Sequence, residues 1–325
     1  MKANDVQELQ RLVGMDDITR HEPVIFAARV EIQCEGRAPS GEPYYRLRIY
    51  DSTGYFTAFA RIRDWEGHPL GGGQFRSLAL HTIETERGHR HVVAYPEVGS
   101  ALPDKGPLDL LPVHHAPESG SLQRLVNVVE NLSIESYREF VREALSDQEF
   151  AIQYLTLPAS KRCHHAKTGG LIAHSLELAE AVNAVGRAMA LPTLQTEAGI
   201  LLALMHDIGK IVLASEVAER VPTRSHEELI EYALQEPLLS SKQMDADAYH
   251  TLWALIVAYR NGDSYSAPMA TVVRGLDGCS AQTDATVHGS SQARVHRYWQ
   301  SPCGGRKVWV PPLFNHDTRR RAESR

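Results

Sequence analysis

The hydrophobic period of the chain changes once, and that change limits the folds open to it. Over residues 22–98, apolar and β-branched residues come in short, partly alternating runs. Residues 23–32, 44–49, 55–62, 75–85 and 89–95 read as five strands. Asp51-Ser52-Thr53-Gly54 supplies a hairpin turn, while Gly71-Gly72-Gly73 and Glu86-Arg87-Gly88 mark the later breaks. Five short strands in so short a span predict a small β-barrel. Residues 99–120 hold Pro103, Gly106, Pro107, Pro112 and Pro117 and read as a linker. From 121 to about 280 the apolar residues recur at helical spacing. Helices are expected over 122–145, 168–189, 196–212, 247–259 and 268–276, with a capping box at Ser225 and Glu228. Residues 1–21 read as an N-terminal arm with a short amphipathic helix. Residues 281–325 read as a polar, loosely ordered tail. The expected class is therefore an α+β multidomain protein, a small barrel followed by an all-α domain.

Composition excludes several classes. Of 325 residues 43% are hydrophobic and 23% charged, which is enough to bury a core and rules out disorder of the whole chain. The net charge of -6 excludes a globally basic binder, though not a local basic groove. No apolar run approaches the roughly 20 residues of a membrane span, and the first ten residues, MKANDVQELQ, lack the apolar core of a signal peptide. Cys34, Cys163, Cys279 and Cys303 lie far apart without a C-x-x-C pair. They read as reduced thiols, so a cytoplasmic, membrane-free protein is expected.

Chemistry concentrates in the most apolar helix. Leu204-Met205-His206-Asp207-Ile208-Gly209-Lys210 sets an imidazole and a carboxylate side by side among hydrophobic residues. Burying either one unpaired is costly. A divalent cation would compensate, since neutral imidazole and carboxylate both ligate; a buried His–Asp hydrogen bond or a solvent-facing pair would also do so. His174 lies 32 residues before His206. That spacing allows a helix, a turn near Pro192 and a returning helix that brings the two imidazoles together. Asp277 ends another apolar helix. Two His and two Asp from three helices make a nitrogen–oxygen site for one divalent metal, and Mn, Mg, Fe, Co and Zn all suit it.

His174…His206-Asp207…Asp277 resembles the H…HD…D signature of the HD-domain metal-dependent phosphohydrolase superfamily. The surrounding wording is narrower. Leu157-Pro158-Ala159-Ser160-Lys161, His164-His165-Ala166, Gly169-Gly170-Leu171, His174-Ser175-Leu176 and Leu204 to Lys210 resemble YhaM-like 3′–5′ exoribonucleases. Those proteins carry an OB-fold barrel before the HD domain, the same order as here. The resemblance covers residues 20–280. The HD wording is equally similar to the TraI-type (MobH) relaxase HD domain of conjugative elements. One departure stands out: Tyr259 and Arg260 occupy the positions of a His-His pair in the YhaM-like pattern. Its loss points to a single metal or to altered or lost catalysis, with Arg260 available to clamp phosphate.

The resemblance implies a metal-dependent phosphodiesterase, a 3′–5′ exonuclease on single-stranded RNA or DNA, in which metal-activated water attacks the phosphodiester. His174, His206, Asp207 and Asp277 would hold the metal. Lys210, one turn beyond Asp207, would neutralise phosphate charge or else solvate the helix end. His164 and His165 would contact substrate or move a proton; as bare residues they read equally as surface loop histidines. His226, at a helix start, would meet phosphate or a second metal, or stand exposed. On the barrel Tyr44, Arg46, Arg48 and Tyr50 share one strand face and would bind single-stranded nucleic acid, with Leu47 and Ile49 facing the core. Assembly into homo-oligomers is implied by the same relatives. Two other readings stay open: a nucleic-acid-binding accessory of a mobile element with a degenerate HD site, and a nucleotide phosphohydrolase.

Overall fold

The computed structural model describes residues 3–14, 23–68, 74–84, 90–97, 105–117, 120–160, 165–215, 225–262, 266–290, 297–300 and 307–310. The expected turns at 71–73 and 86–88 lie outside these residues. The chain divides into two compact units. The first comprises Met1–Asn127 with Leu145–Ile152, and the second Val128–Ala144 with Gln153–Arg325.

The first unit is a closed five-stranded barrel. Its strands are β1 (Val24–Arg37), β2 (Pro43–Tyr50), β3 (Tyr55–Arg61), β4 (Gln74–Glu84) and β5 (Arg90–Pro96). The order around the barrel is β1-β2-β3-β5-β4, and β4 closes it antiparallel onto β1. Side-chain alternation drives Phe26, Ala28, Val30, Leu47, Ile49, Leu78 and Leu80 inward. The helix α1 (Val6–Gly14) adds Val6 and Leu9 to the same core, and neither has any exposed surface. The turn after β2 is held by Asp51, which is almost fully buried. Its Oδ1 accepts from Thr53 N at 2.8 Å and Thr53 Oγ1 at 2.6 Å; its Oδ2 accepts from Val6 N at 3.0 Å and Lys105 Nζ at 3.2 Å. One carboxylate thus fixes both the hairpin and the entry of α1. Residues 145–152 belong to this unit through Gln148. Its amide nitrogen donates to the Tyr50 hydroxyl at 2.6 Å, and its oxygen accepts from Arg29 at 2.8 Å.

The second unit is helical: α3 (Glu135–Ala144), α5 (Gly170–Ala188), α6 (Thr193–Met205), α7 (Gly209–Ala214), α8 (Ile230–Ala233), α9 (Gln235–Met244), α10 (Ala246–Asn261) and α11 (Pro268–Ser290). Helices α2 (Ser121–Glu130) and α4 (Gln148–Thr156) run across the division between the units. The apolar α6 is central, packed on by α5, α10 and α11. No described helix is long and apolar enough to cross a membrane.

Four expectations need correction. The single helix expected over 122–145 is two, because buried Glu197 binds the chain between them. Its carboxylate accepts from Ser133 N (2.8 Å), Ser133 Oγ (2.6 Å) and Ile134 N (3.0 Å), which starts α3 afresh. The helix expected over 196–212 breaks at His206. There the backbone bonds tighten to the three-residue pattern, with Ile208 N donating to Met205 O and Lys210 N to Asp207 O. The helix expected to end near Asp277 runs on to Ser290, so Asp277 lies in its interior. The polar tail also holds a short antiparallel pair, Arg297–Gln300 with Lys307–Val310.

Candidate metal centre

Helices α5 and α6 and the turn after α6 build the centre. His174, in the second turn of α5, has no exposed surface, and neither has His206 at the end of α6; Asp207 follows at 3% exposure. The imidazole centroids of His174 and His206 are 5.2 Å apart. One ligand atom from each of His174, His206 and Asp207 lies within 4.8 Å of the others, a grouping able to hold a metal ion. Asp277, from α11, joins through His174, its Oδ1 3.0 Å from His174 Nε2. The three helices and the four residues expected from the sequence are thus brought to one place.

The hydrogen bonds define what each group offers. His206 Nδ1 lies 2.8 Å from the Ala203 carbonyl. A carbonyl only accepts, so Nδ1 carries the proton and Nε2 carries the lone pair. That buried Nε2 has no hydrogen-bond partner. Burial holds the imidazole below its ordinary pKa despite the neighbouring Asp207. Burial alone would raise Asp207, but His206, a bond from His226 and the Lys210 ammonium outweigh it and hold the carboxyl well below the usual range. Asp277 is likewise lowered: burial opposes, while the bond to His174 and the His206 ring prevail.

Around this trio the other candidates fall into distinct places. Lys210 Nζ bridges Asp207 Oδ2 and the Ala159 carbonyl, so it is committed to holding the carboxylate. His226 Nε2 reaches Asp207 Oδ1 at 3.0 Å. Its segment is one 3-10 turn, Glu227–Leu229, with Glu228 N donating to Ser225 Oγ at 3.4 Å. That turn docks so closely on Gly209 that a Cβ there would sit 2.0 Å from the His226 carbonyl oxygen. Gly170 is needed for the same reason, since a Cβ would meet the His165 carbonyl oxygen at 1.8 Å. His165 takes a left-handed backbone (φ 52°), and its Nε2 lies 2.9 Å from Glu177 Oε2. Its ring is 5.3 Å from that of His174. His164 lies outside the described residues.

Tyr259 is 6% exposed, its ring 5.8 Å from His206 and edge-on to it. Burial, with Asp277 and Asp207 nearby, pushes its phenol far up, so it stays protonated. Arg260 is paired with Glu231. It lines a cavity of about 740 Å³ together with Ser225, Tyr249 and Trp253.

Sequence reasoning missed Glu177 and Ser280. Glu177 sits three residues after His174 on one helix face, a spacing that was readable, and together with His165 and His174 it forms a second grouping able to hold an ion. Ser280 Oγ lies 3.5 Å from His174 Nδ1 and 3.3 Å from Glu177 Oε2, one turn beyond Asp277.

On the barrel, Tyr44 packs edge-on to Phe59 at 5.6 Å, and Phe59 edge-on to His91 at 5.1 Å. Together with Tyr95, Arg37 and Arg61 they line a groove of about 550 Å³. Arg46 is exposed on β2. Arg48 instead lies 3.6 Å from Glu31 Oε2 and over the Tyr55 ring, away from the groove-lining residues. Tyr50, expected on the open face with them, is fully buried under Gln148 and His114. Comparison with known proteins finds no counterpart: no family model, no curated protein and no solved structure matches the chain.

Proposed function

We propose that the protein is a metal-dependent phosphodiesterase of HD type, acting from the 3′ end of single-stranded RNA or DNA. One observation carries the reading: the buried Nε2 of His206, without a hydrogen-bond partner and 3.5 Å from the ionised Asp207, beside His174. A protein would gain by replacing such an imidazole with a hydrocarbon side chain unless something bound it. The donor set fits a divalent cation, held by His174, His206, Asp207 and Asp277. When bound, that cation supplies the charge that acidifies water and offsets phosphoryl oxygens in phosphodiester hydrolysis.

The chain's own residues prepare the site. Ala203 fixes the His206 tautomer, as a carbonyl behind a metal-binding histidine commonly does. Lys210 and His226 keep Asp207 ionised and oriented. Tyr259 packs edge-on against the His206 ring. The barrel's strand order fits the OB fold, and its aromatic groove with Arg37 and Arg61 suits stacked bases and backbone phosphate.

A second reading has its own support. Tyr259 and the Glu231-paired Arg260 stand where a His-His pair is expected, which favours a single-strand-binding protein whose helical site does not turn over. The deciding assay uses 5′-labelled RNA and DNA strands with EDTA, Mg²⁺ or Mn²⁺, and the Asp207→Ala chain in parallel. The expected outcome is a metal-dependent ladder shortening from the 3′ end and absent from the variant. A bound but intact strand establishes the second reading. Release of phosphate or polyphosphate from free nucleotides, with the strands left intact, points to a nucleotide phosphohydrolase.

A further inference from the structure

The barrel unit holds a further group of metal-ligating side chains, on elements that the helical centre does not use. Glu31 lies on β1, in register with Arg48 of β2. His114 and His115 follow one another in a single 3-10 turn, Val113–His115. Their imidazole centroids are nevertheless only 4.4 Å apart. One ligand atom from each of Glu31, His114 and His115 lies within 4.8 Å of the others.

The unusual member is His114. Its side chain is 6% exposed. The edges of Tyr50 and Tyr55 wall it in, with centroids at 4.6 Å and 5.6 Å. Its Nε2 lies 3.6 Å from Glu31 Oε2, beyond hydrogen-bond length. Neither Nδ1 nor Nε2 has a hydrogen-bond partner. Buried polar atoms are nearly always satisfied, and an aromatic hydrocarbon would fill this space without leaving two nitrogens bare. The carboxylate and the second imidazole beside it supply the remaining donors that a cation needs.

We propose that Glu31, His114 and His115 form a divalent-metal site on the barrel that takes Zn²⁺ or a neighbouring transition-metal ion. Two imidazoles and one carboxylate favour such ions over Mg²⁺ and Ca²⁺, which prefer all-oxygen cages. Arg48, 3.6 Å from the same Glu31 oxygen, competes for it and limits affinity. Three protein donors leave a coordination position open to water. A bound ion ties the 3-10 turn to the first strand. The proposal does not depend on the function of the helical centre, because no residue is shared.

The test counts metal in the full-length protein. The Asp207→Ala chain, with the helical centre broken, is dialysed against Co²⁺ with Mg²⁺ in excess, and bound cobalt is measured per chain. With His165, His174 and Glu177 still in place, at least one ion per chain is expected to remain, with visible absorption of a nitrogen–oxygen site. Adding His115→Gln, or separately Glu31→Gln, lowers the cobalt content by about one ion per chain. The same drop of about one ion per chain is expected when either change is made in the parent protein. Both residues are only partly buried, so folding is retained and is checked by thermal melting; His114 itself is left intact. The proposal is overturned if Asp207→Ala binds no cobalt, or if both substitutions leave its cobalt content unchanged.

Discussion

At the scale of single residues, the helical centre turns on which atom of each group is already spoken for. His206 spends Nδ1 on a backbone carbonyl and keeps Nε2 bare, while Asp207 is gripped by Lys210 and His226. Lys210→Met should therefore lower metal affinity and turnover together, by about 10–100-fold, as expected when a ligand's supporting partner is removed. Mn²⁺ titration of strand hydrolysis measures both. Asp207→Asn should remove turnover while single-strand affinity, read by anisotropy, stays within about twofold, because the barrel groove is untouched. His174, His206, Asp207 and Asp277, which the structure brings together, were legible in sequence. His174 and His206 are separated by one helix and a turn, and a carboxylate in an apolar run is conspicuous. Their supports were not legible, since the Lys210–Ala159 and His226–Asp207 contacts join segments whose approach no local pattern records.

At the scale of elements, the break after α6 leaves His206 and Asp207 at the end of that helix, where the chain tightens to three-residue bonds before α7. The break is missing from the hydrophobic pattern because apolar residues run through it on both sides. It is made instead by a side chain bonding back to Ala203 and by the 226–229 turn seated on Gly209. Gly209→Ala should cost about 1–3 kcal/mol in denaturant unfolding, the range for forcing an added methyl into packed structure. It should also lower turnover, since the methyl meets the His226 backbone; unchanged stability would mean that the turn does not dock there. In the barrel, α1 acts as a core element rather than an arm. Leu9→Ala should destabilise by about 2–5 kcal/mol, the usual cost of truncating a buried leucine, read as a shift in the urea midpoint. Its amphipathic pattern was readable from sequence. That its apolar face joins the barrel core was not, because the decisive bond is Val6 N to Asp51, 45 positions away.

At the scale of the whole molecule, the change of hydrophobic period foretold a barrel followed by helices, and that architecture is present. Division of labour between the units gives a separable prediction. Tyr44→Ala or Phe59→Ala should weaken single-strand binding by about 1–3 kcal/mol, the worth of one stacked base. Hydrolysis of a small chromogenic phosphodiester, too short to reach the groove, should be unaltered. Loss of both would mean that the barrel residues support the fold rather than the strand. The path of the chain has a further consequence. It leaves the barrel unit after Asn127 and comes back at 145–152 to deliver Gln148 to Tyr50 and Arg29 before departing again. A gene fragment ending in the proline-rich segment would encode the barrel strands without Gln148, and recombination that swaps one unit for another must carry over a stretch that lies between two segments of its neighbour. Selection would thus pass the pair on as a single heritable block.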